Sequence, residues 1–245
     1  MENKLFTIVN KEDEASFLAD LKVNPDNFKK KLIFVFGNSK NYIVVNGEKI
    51  LSQPSPYNGY DYVDLGLPSG LKWATCNIGA SSPEQTGLYF AWGETTGYTA
   101  EQVTSGVREF NKASYNAGPA ASISTNLTLE HDAAHIYMGG SWRMPTKNEF
   151  QELLNNCNVM QTEDYNGTGV KGLVFTSKSN GKSVFFPAAG NCLNSSVVDV
   201  GSYGVYWSAS WRSSSNAREL CFLSGSHDLN YNYRYYGYSV RGVCE

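Results

Sequence analysis

At 245 residues, with 41% hydrophobic content, the chain has enough apolar mass for a real core. A formal net charge of −3 and a pI of about 5.7 leave no basic face for nucleic acid. No run approaches the ~18 consecutive apolar residues of a membrane helix, so no membrane insertion is expected. Charged residues are scarce at 18% while Gly and Tyr abound, a mix that suits a loop-rich β or α+β protein.

The N-terminal MENKLFTIVNKEDEASF has no apolar core region and no small-residue cleavage site, so it is not read as a signal peptide. Met1 favours synthesis in the cytoplasm over loss of a leader. KLFTIVN reads as a strand, and EDEASFLADLK, with Phe17, Leu18 and Leu21, as a short helix. KLIFVFGNSKNYIVVNGEKIL predicts a hairpin, two β-rich runs joined by Gly-Asn-Ser-Lys-Asn, then a second turn at Asn46-Gly47. A boundary follows at SQPSPYNG. Residues 1–52 are therefore expected to form a small α/β N-terminal module, and residues 57–245 a second domain.

In that domain YVDLGLPSGLKWATCNIGA alternates apolar and polar residues and predicts opening strands. LYFAWGE predicts a short aromatic strand, and residues 97–130 an irregular excursion. MPTKNEFQELLNNC predicts a helix: Thr146 and Glu149 have capping-box spacing, and Phe150, Leu153 and Leu154 form the apolar stripe. GLVFTSKSNGKSVFFPAAG predicts a hairpin, and VYWSAS, ARELCFLSG and YSVRGVCE three more strands. The stretch between, WSASWRSSSNARELCFLSGSHDLNYNYRYYGYSVRGV, neither alternates like a core strand nor has the composition of a disordered tail. Its Tyr, Ser, Asn and Gly match the composition of antibody-like binding surfaces.

Metal and redox chemistry find little support. The cysteines, Cys76, Cys157, Cys192, Cys221 and Cys244, form no CxxC or Cys/His cluster, and their number is odd. Reduced thiols are expected in the absence of a secretory signal. His131 and His135 in HDAAH have the i, i+4 spacing of a helical metal pair, but lack the Glu of HExxH and a third ligand. No cofactor, no metal and no enzymatic activity are expected.

Several motifs together resemble a known family: GSWRMPTKNEFQELL at 140–154, GVYWSAS at 204–210, A-x-x-L-x-F at 217–222 and R-x-x-G-x-SVRGV at 234–243. They are similar to the C-type-lectin-like domain of formylglycine-generating-enzyme type. The likeness is closer to its paralogous form in Bacteroidetes surface and phage proteins, which includes the variable proteins of diversity-generating retroelements. VDLGLPSGLKWAT matches the start of that domain, and the resemblance spans about residues 57–245. F-x-x-x-LK-x-NP and I-x-VNG-x-x-I in the N-terminal module are similar to short modules of phage tail-fibre proteins.

The resemblance implies an α+β fold, C-type-lectin-like, with twisted antiparallel strands and two helices. It implies a ligand site on the C-terminal strands and loops, and a partner that is a protein or glycan on a cell surface. The setting implied is a phage virion tail or an extracellular surface, and tail proteins are often homotrimers. Retroelement mutation at the adenines of Asn codons yields Asn, Ser, Tyr, Asp, His, Arg and Cys, but not Lys, Gln, Glu, Met or Trp. Between Arg212 and Tyr236 there is no Lys, Gln, Met or Trp and only Glu219; four of the six arginines follow Trp211, whereas the last lysine is Lys182.

On that reading Trp207, Ala217, Leu220, Phe222, Gly225, Leu229, Gly237, Val240 and Val243 are buried or turn positions. The contact candidates are Arg212, Ser213, Ser214, Asn216, Arg218, Cys221, Ser226, Asp228, Asn230, Tyr231, Asn232, Tyr233, Tyr235 and Tyr236. A tyrosine offers a large rigid face and a hydroxyl at low entropic cost. The plainer alternative makes YNYRYYGY a surface strand whose tyrosines pack on neighbours. Arg143 and Arg241 are expected to tie the scaffold through backbone carbonyls. The EPN, QPD and WND calcium motifs of animal lectins are absent, so calcium-dependent sugar binding is not carried over. The alternative activity in this family, a copper oxidase using cysteines, would need Cys221 and Cys244 to converge.

Overall fold

The computed structural model describes residues 42–45, 48–51 and 57–245. The chain divides into two units, Met1–Pro56 and Tyr57–Glu245. In the first, β1 (Tyr42–Val45) pairs antiparallel with β2 (Glu48–Leu51), and Val45 stands opposite Glu48 across Asn46-Gly47. The predicted strand at KLFTIVN, the helix at EDEASFLADLK and the β-rich run at KLIFVFG lie outside the described residues.

The second unit is an α+β assembly of small antiparallel sheets with short helices. One sheet places β4 (Lys72–Asn77) between β13 (Arg241–Cys244) and β3 (Tyr62–Asp64). A second is the meander of β5 (Cys157–Thr162), β6 (Gly172–Ser177) and β7 (Ser183–Pro187). A third joins β10 (Tyr203–Trp211), β11 (Asn216–Leu223) and β12 (Ser226–Tyr233) in that order. A two-stranded ribbon pairs β8 (Asn191–Leu193) with β9 (Ser196–Val198).

Four α-helices appear among the described residues, where two were expected. α1 (Ala100–Thr104) and α2 (Lys112–Asn116) fall in the stretch predicted to be irregular. Both are single turns held by capping boxes, Thr99 with Gln102 and Asn111 with Ser114, too short to show a helical apolar period. LYFAWGE is not a full strand: only Tyr89 and Phe90 form isolated bridges, to Tyr98 and Tyr238. α3 (Ala133–Met138) begins after His131, so the two histidines of HDAAH do not share a helix. Its cap, Asp132, also accepts the Met144 amide at 2.8 and 3.0 Å through its two oxygens.

α4 (Lys147–Asn156) follows its sequence signal closely. The Thr146 hydroxyl accepts the Glu149 amide at 3.3 Å, and Glu149 Oε2 accepts the Thr146 amide at 2.7 Å. Arg143 then clamps the same carboxylate with two bonds of 2.7 and 2.8 Å. Arg143 thus serves the helix cap through a carboxylate rather than through carbonyls alone. Phe150 and Leu153 bury the apolar face of α4 against Trp73, Phe175, Tyr206, Leu220 and Phe222.

The final ten residues thread through the middle of this unit. Gly237 bridges to Cys192, Tyr238 to Phe90 and Ser239 to Tyr206, and then β13 pairs with β4 while its Val243 also bridges to Arg143. Arg241, fully buried, donates to the carbonyls of Ala74 and Phe185, each at 2.9 Å, and lies over the Phe186 ring. The scaffold positions read from the tail are well covered: Trp207, Ala217, Leu220, Val240 and Val243 are fully buried, and Phe222 nearly so. Gly225 turns the β11–β12 hairpin at a φ of +80°, where a β-carbon would be strained.

Candidate ligand-binding site

The sheet of β10, β11 and β12 determines where the tail residues point. Side chains alternate along a strand, and directly paired residues share a face. In the β11–β12 register, Arg218 stands opposite Tyr231, Leu220 opposite Leu229, and Phe222 opposite His227. This is the face that packs on α4 through Leu220 and Phe222. Ala217 stands opposite Asn232, Glu219 opposite Asn230, and Cys221 opposite Asp228 on the other face, beside Trp207, Val205 and Tyr238. The alternation therefore sorts charge: arginine on one face of the hairpin, carboxylates on the other.

None of the candidate contact residues is fully buried, but they do not form one patch. Arg212, Arg218 and Tyr231 meet on the α4-packed face, beyond the core. The Arg212 guanidinium lies 4.6 Å from the Tyr231 ring centre and that of Arg218 5.7 Å from it. Both are cation–π distances. Neither arginine has an ion pair among the described residues. Tyr231 and Tyr233 are 45% and 47% exposed, the most open aromatic pair on the hairpin. Tyr233 stacks on Tyr235 with ring centres 5.3 Å apart, and Tyr236 meets both edge-on at 6.0 and 5.1 Å. Tyr236 continues inward to Tyr238, so the cluster is rooted in the core.

A second group is spent on local structure. Ser213 and Asn216 close the β10–β11 loop: the Ser213 amide donates to the Asn216 carbonyl at 3.0 Å, and the Asn216 amide to the Ser213 hydroxyl at 3.1 Å. These bonds turn the Asn216 backbone toward the loop, so its partner Tyr233 points its own amide to the open edge of β12. Along that edge three amides are covered from within the strand. Leu229, Tyr231 and Tyr233 donate to the side-chain oxygens of Asp228, Asn230 and Asn232, at 2.7, 2.9 and 2.9 Å.

The remaining candidates stand apart. Ser226 opens β12 at the hairpin turn, roughly 23 Å from Tyr233 at the rise of an extended strand. Cys221 is half-buried on the opposite face, its thiol pushed up to about 11 by burial, with the nearby Glu219 charge adding to it. Ser214 faces solvent while its carbonyl accepts from Arg234 at 3.1 Å.

Two buried charged positions stood outside the candidate contact set. Arg234, between the stacked tyrosines, is 1% exposed. It donates to the carbonyls of Ala120, Ile123 and Ser214 at 2.5, 3.0 and 3.1 Å and lies over the Trp92 ring. It anchors the cluster from beneath and has no carboxylate partner among the described residues. Glu219 is 2% exposed, and its Oε2 has no hydrogen-bond partner among the described residues. Burial pushes its carboxyl up to about 8, only partly opposed by a bond with Tyr238. Its presence in a stretch otherwise free of Glu was the available signal.

All five cysteines are free; burial pushes the thiols of Cys157 and Cys244 up to about 11 and that of Cys192 further. Reactive cysteines have the opposite shift. No cluster of three or more His, Cys, Asp and Glu side chains suited to a metal occurs among the described residues. No helix among them is long and apolar enough to cross a membrane. Comparison with family models, curated proteins and solved structures finds no match to the chain.

Proposed function

We propose that the protein is a non-enzymatic binding protein whose ligand surface is the outer part of the β11–β12 hairpin and the segment that follows it. The reading includes a C-type-lectin-like domain of the formylglycine-generating-enzyme type, as diversified by retroelements. Its setting is a phage tail or a cell surface, where it acts as a homotrimer on a surface protein or glycan. The observation that carries it is the row of aromatic and cationic side chains, exposed at Arg212, Tyr231 and Tyr233 and half-buried at Arg218 and Tyr235, on a hairpin whose inner strand is locked in the core. Rigid aromatic faces held by a fixed scaffold lose little freedom on binding. The buried anchors Trp207, Ala217, Leu220 and Phe222 alternate with these positions, so substitutions at the exposed ones need not disturb packing.

Sequencing related copies of the gene from one population tests this. Differences are expected to concentrate at Arg212, Arg218, Tyr231, Tyr233 and Tyr235, to follow the adenine-derived residue spectrum, and to spare the anchors. Differences spread evenly over residues 57–245 would overturn the proposal.

A further inference from the structure

We infer that the ligand recognised by this surface is an acidic saccharide, with its carboxylate or sulfate held by Arg212 and Arg218 and a sugar ring lying against the tyrosines. The inference rests on the reading of this hairpin as the ligand surface and narrows it. Two guanidinium groups over one ring repel each other, and no carboxylate in β10, β11 or β12 shares their face to offset the charge. The sheet register sends Glu219 and Asp228 to the opposite side. An arriving oxyanion would offset the two positive charges and fill guanidinium donors that have no hydrogen-bond or ion-pair partner among the described residues, in the paired geometry arginine favours.

A saccharide fits better than a peptide for a separate reason. Extended peptides commonly bind by adding a strand to an open sheet edge. Here the edge amides of β12 already donate to Asp228, Asn230 and Asn232. Recognition is left to side chains. Beside the arginines those are flat phenol rings with hydroxyls at the rim, a match for the C–H face and hydroxyl edge of a pyranose ring.

The test measures binding of the full chain to three probes of equal length by calorimetry: a galacturonic acid hexamer, a neutral glucose hexamer and hexaglutamate. The uronate hexamer is expected to bind at least about tenfold more tightly than either of the others, less so as salt rises. Arg212→Gln and Arg218→Gln are each expected to weaken it by about tenfold, the scale of a hydrogen bond to a charged group; Tyr231→Ala is expected to weaken it as well. A sulfated dextran oligomer compared with plain dextran separates sulfate from carboxylate as the anion. Equal binding of neutral and acidic sugars, tighter binding of hexaglutamate, or unchanged affinity in both arginine variants would overturn the inference. Such a result would leave the population test above unaffected, and sugar binding with evenly scattered variation would sink the broader proposal instead.

Discussion

Strands β11 and β12 are neighbours in one hairpin and share a complete register, yet they differ in nearly every physical respect. β11 is covered on both faces: Leu220 and Phe222 enter the core beneath α4, and Ala217 and Glu219 enter the core around Trp207. β12 is largely open on both, with Leu229 its one apolar residue packed against the core. β11 shows no clean alternation, and the alternation of β12, Leu229-Asn230-Tyr231-Asn232-Tyr233, sorts aromatic from amide rather than core from solvent. A strand buried on two sides needs no polar face, and a strand exposed on two sides needs no apolar one. The pairing lets the rigid strand set the geometry of the exposed one.

The sharpest way to break that contrast is by truncation. Phe222→Ala removes the ring that covers Gly204. It is expected to cost about 3–5 kcal/mol in chemical denaturation, the range for a buried Phe. Tyr231→Ala, one strand over, is expected to cost under about 1 kcal/mol. Comparable losses would show that β12 is part of the core after all.

Per pH unit, a smaller effect concerns Glu219. Its folded carboxyl binds its proton up to about pH 8, against an ordinary value of 4.5. Between those values the folded chain holds a proton that the unfolded chain has released, so stability must fall as pH rises through that window. The slope contributed is at most about 1.4 kcal/mol per pH unit. Glu219→Gln is expected to flatten this part of the stability–pH profile; an unchanged profile would mean that Glu219 is ionised in the fold.

The mildest change in stability is expected at the edge of β12. Replacing Asn230 and Asn232 together by Val should alter it by less than about 1 kcal/mol. It would uncover the edge amides of Tyr231 and Tyr233, so self-association in sedimentation experiments should increase. An oligomeric state identical to that of the parent would show that the side-chain caps do not guard the edge.

How much of this could be read from the sequence depended on how local the cause was. α4 was legible to its cap because Thr146 and Glu149 act within one turn. The β6–β7 hairpin was legible because its turn signal and β-rich runs are contiguous. α1 and α2 were not read, although Thr99 and Gln102 carry capping-box spacing, because one turn has no apolar period. β12 was weighed only as the plainer alternative, since nothing in its composition separates an exposed strand from a loop. The candidate contact residues were named by type, but type does not reveal face. Only the register divides Arg218 and Tyr231 from Cys221 and Asp228.

Arg234 carries a further consequence. The side chain that fastens the tyrosine cluster to the loops around Ala120 and Ser214 uses three carbonyl oxygens and an indole face, none of which can gain or lose a proton. A guanidinium remains protonated throughout the range in which proteins stay folded. Acidic surroundings, which would unfasten a carboxylate clasp, leave this rivet in place.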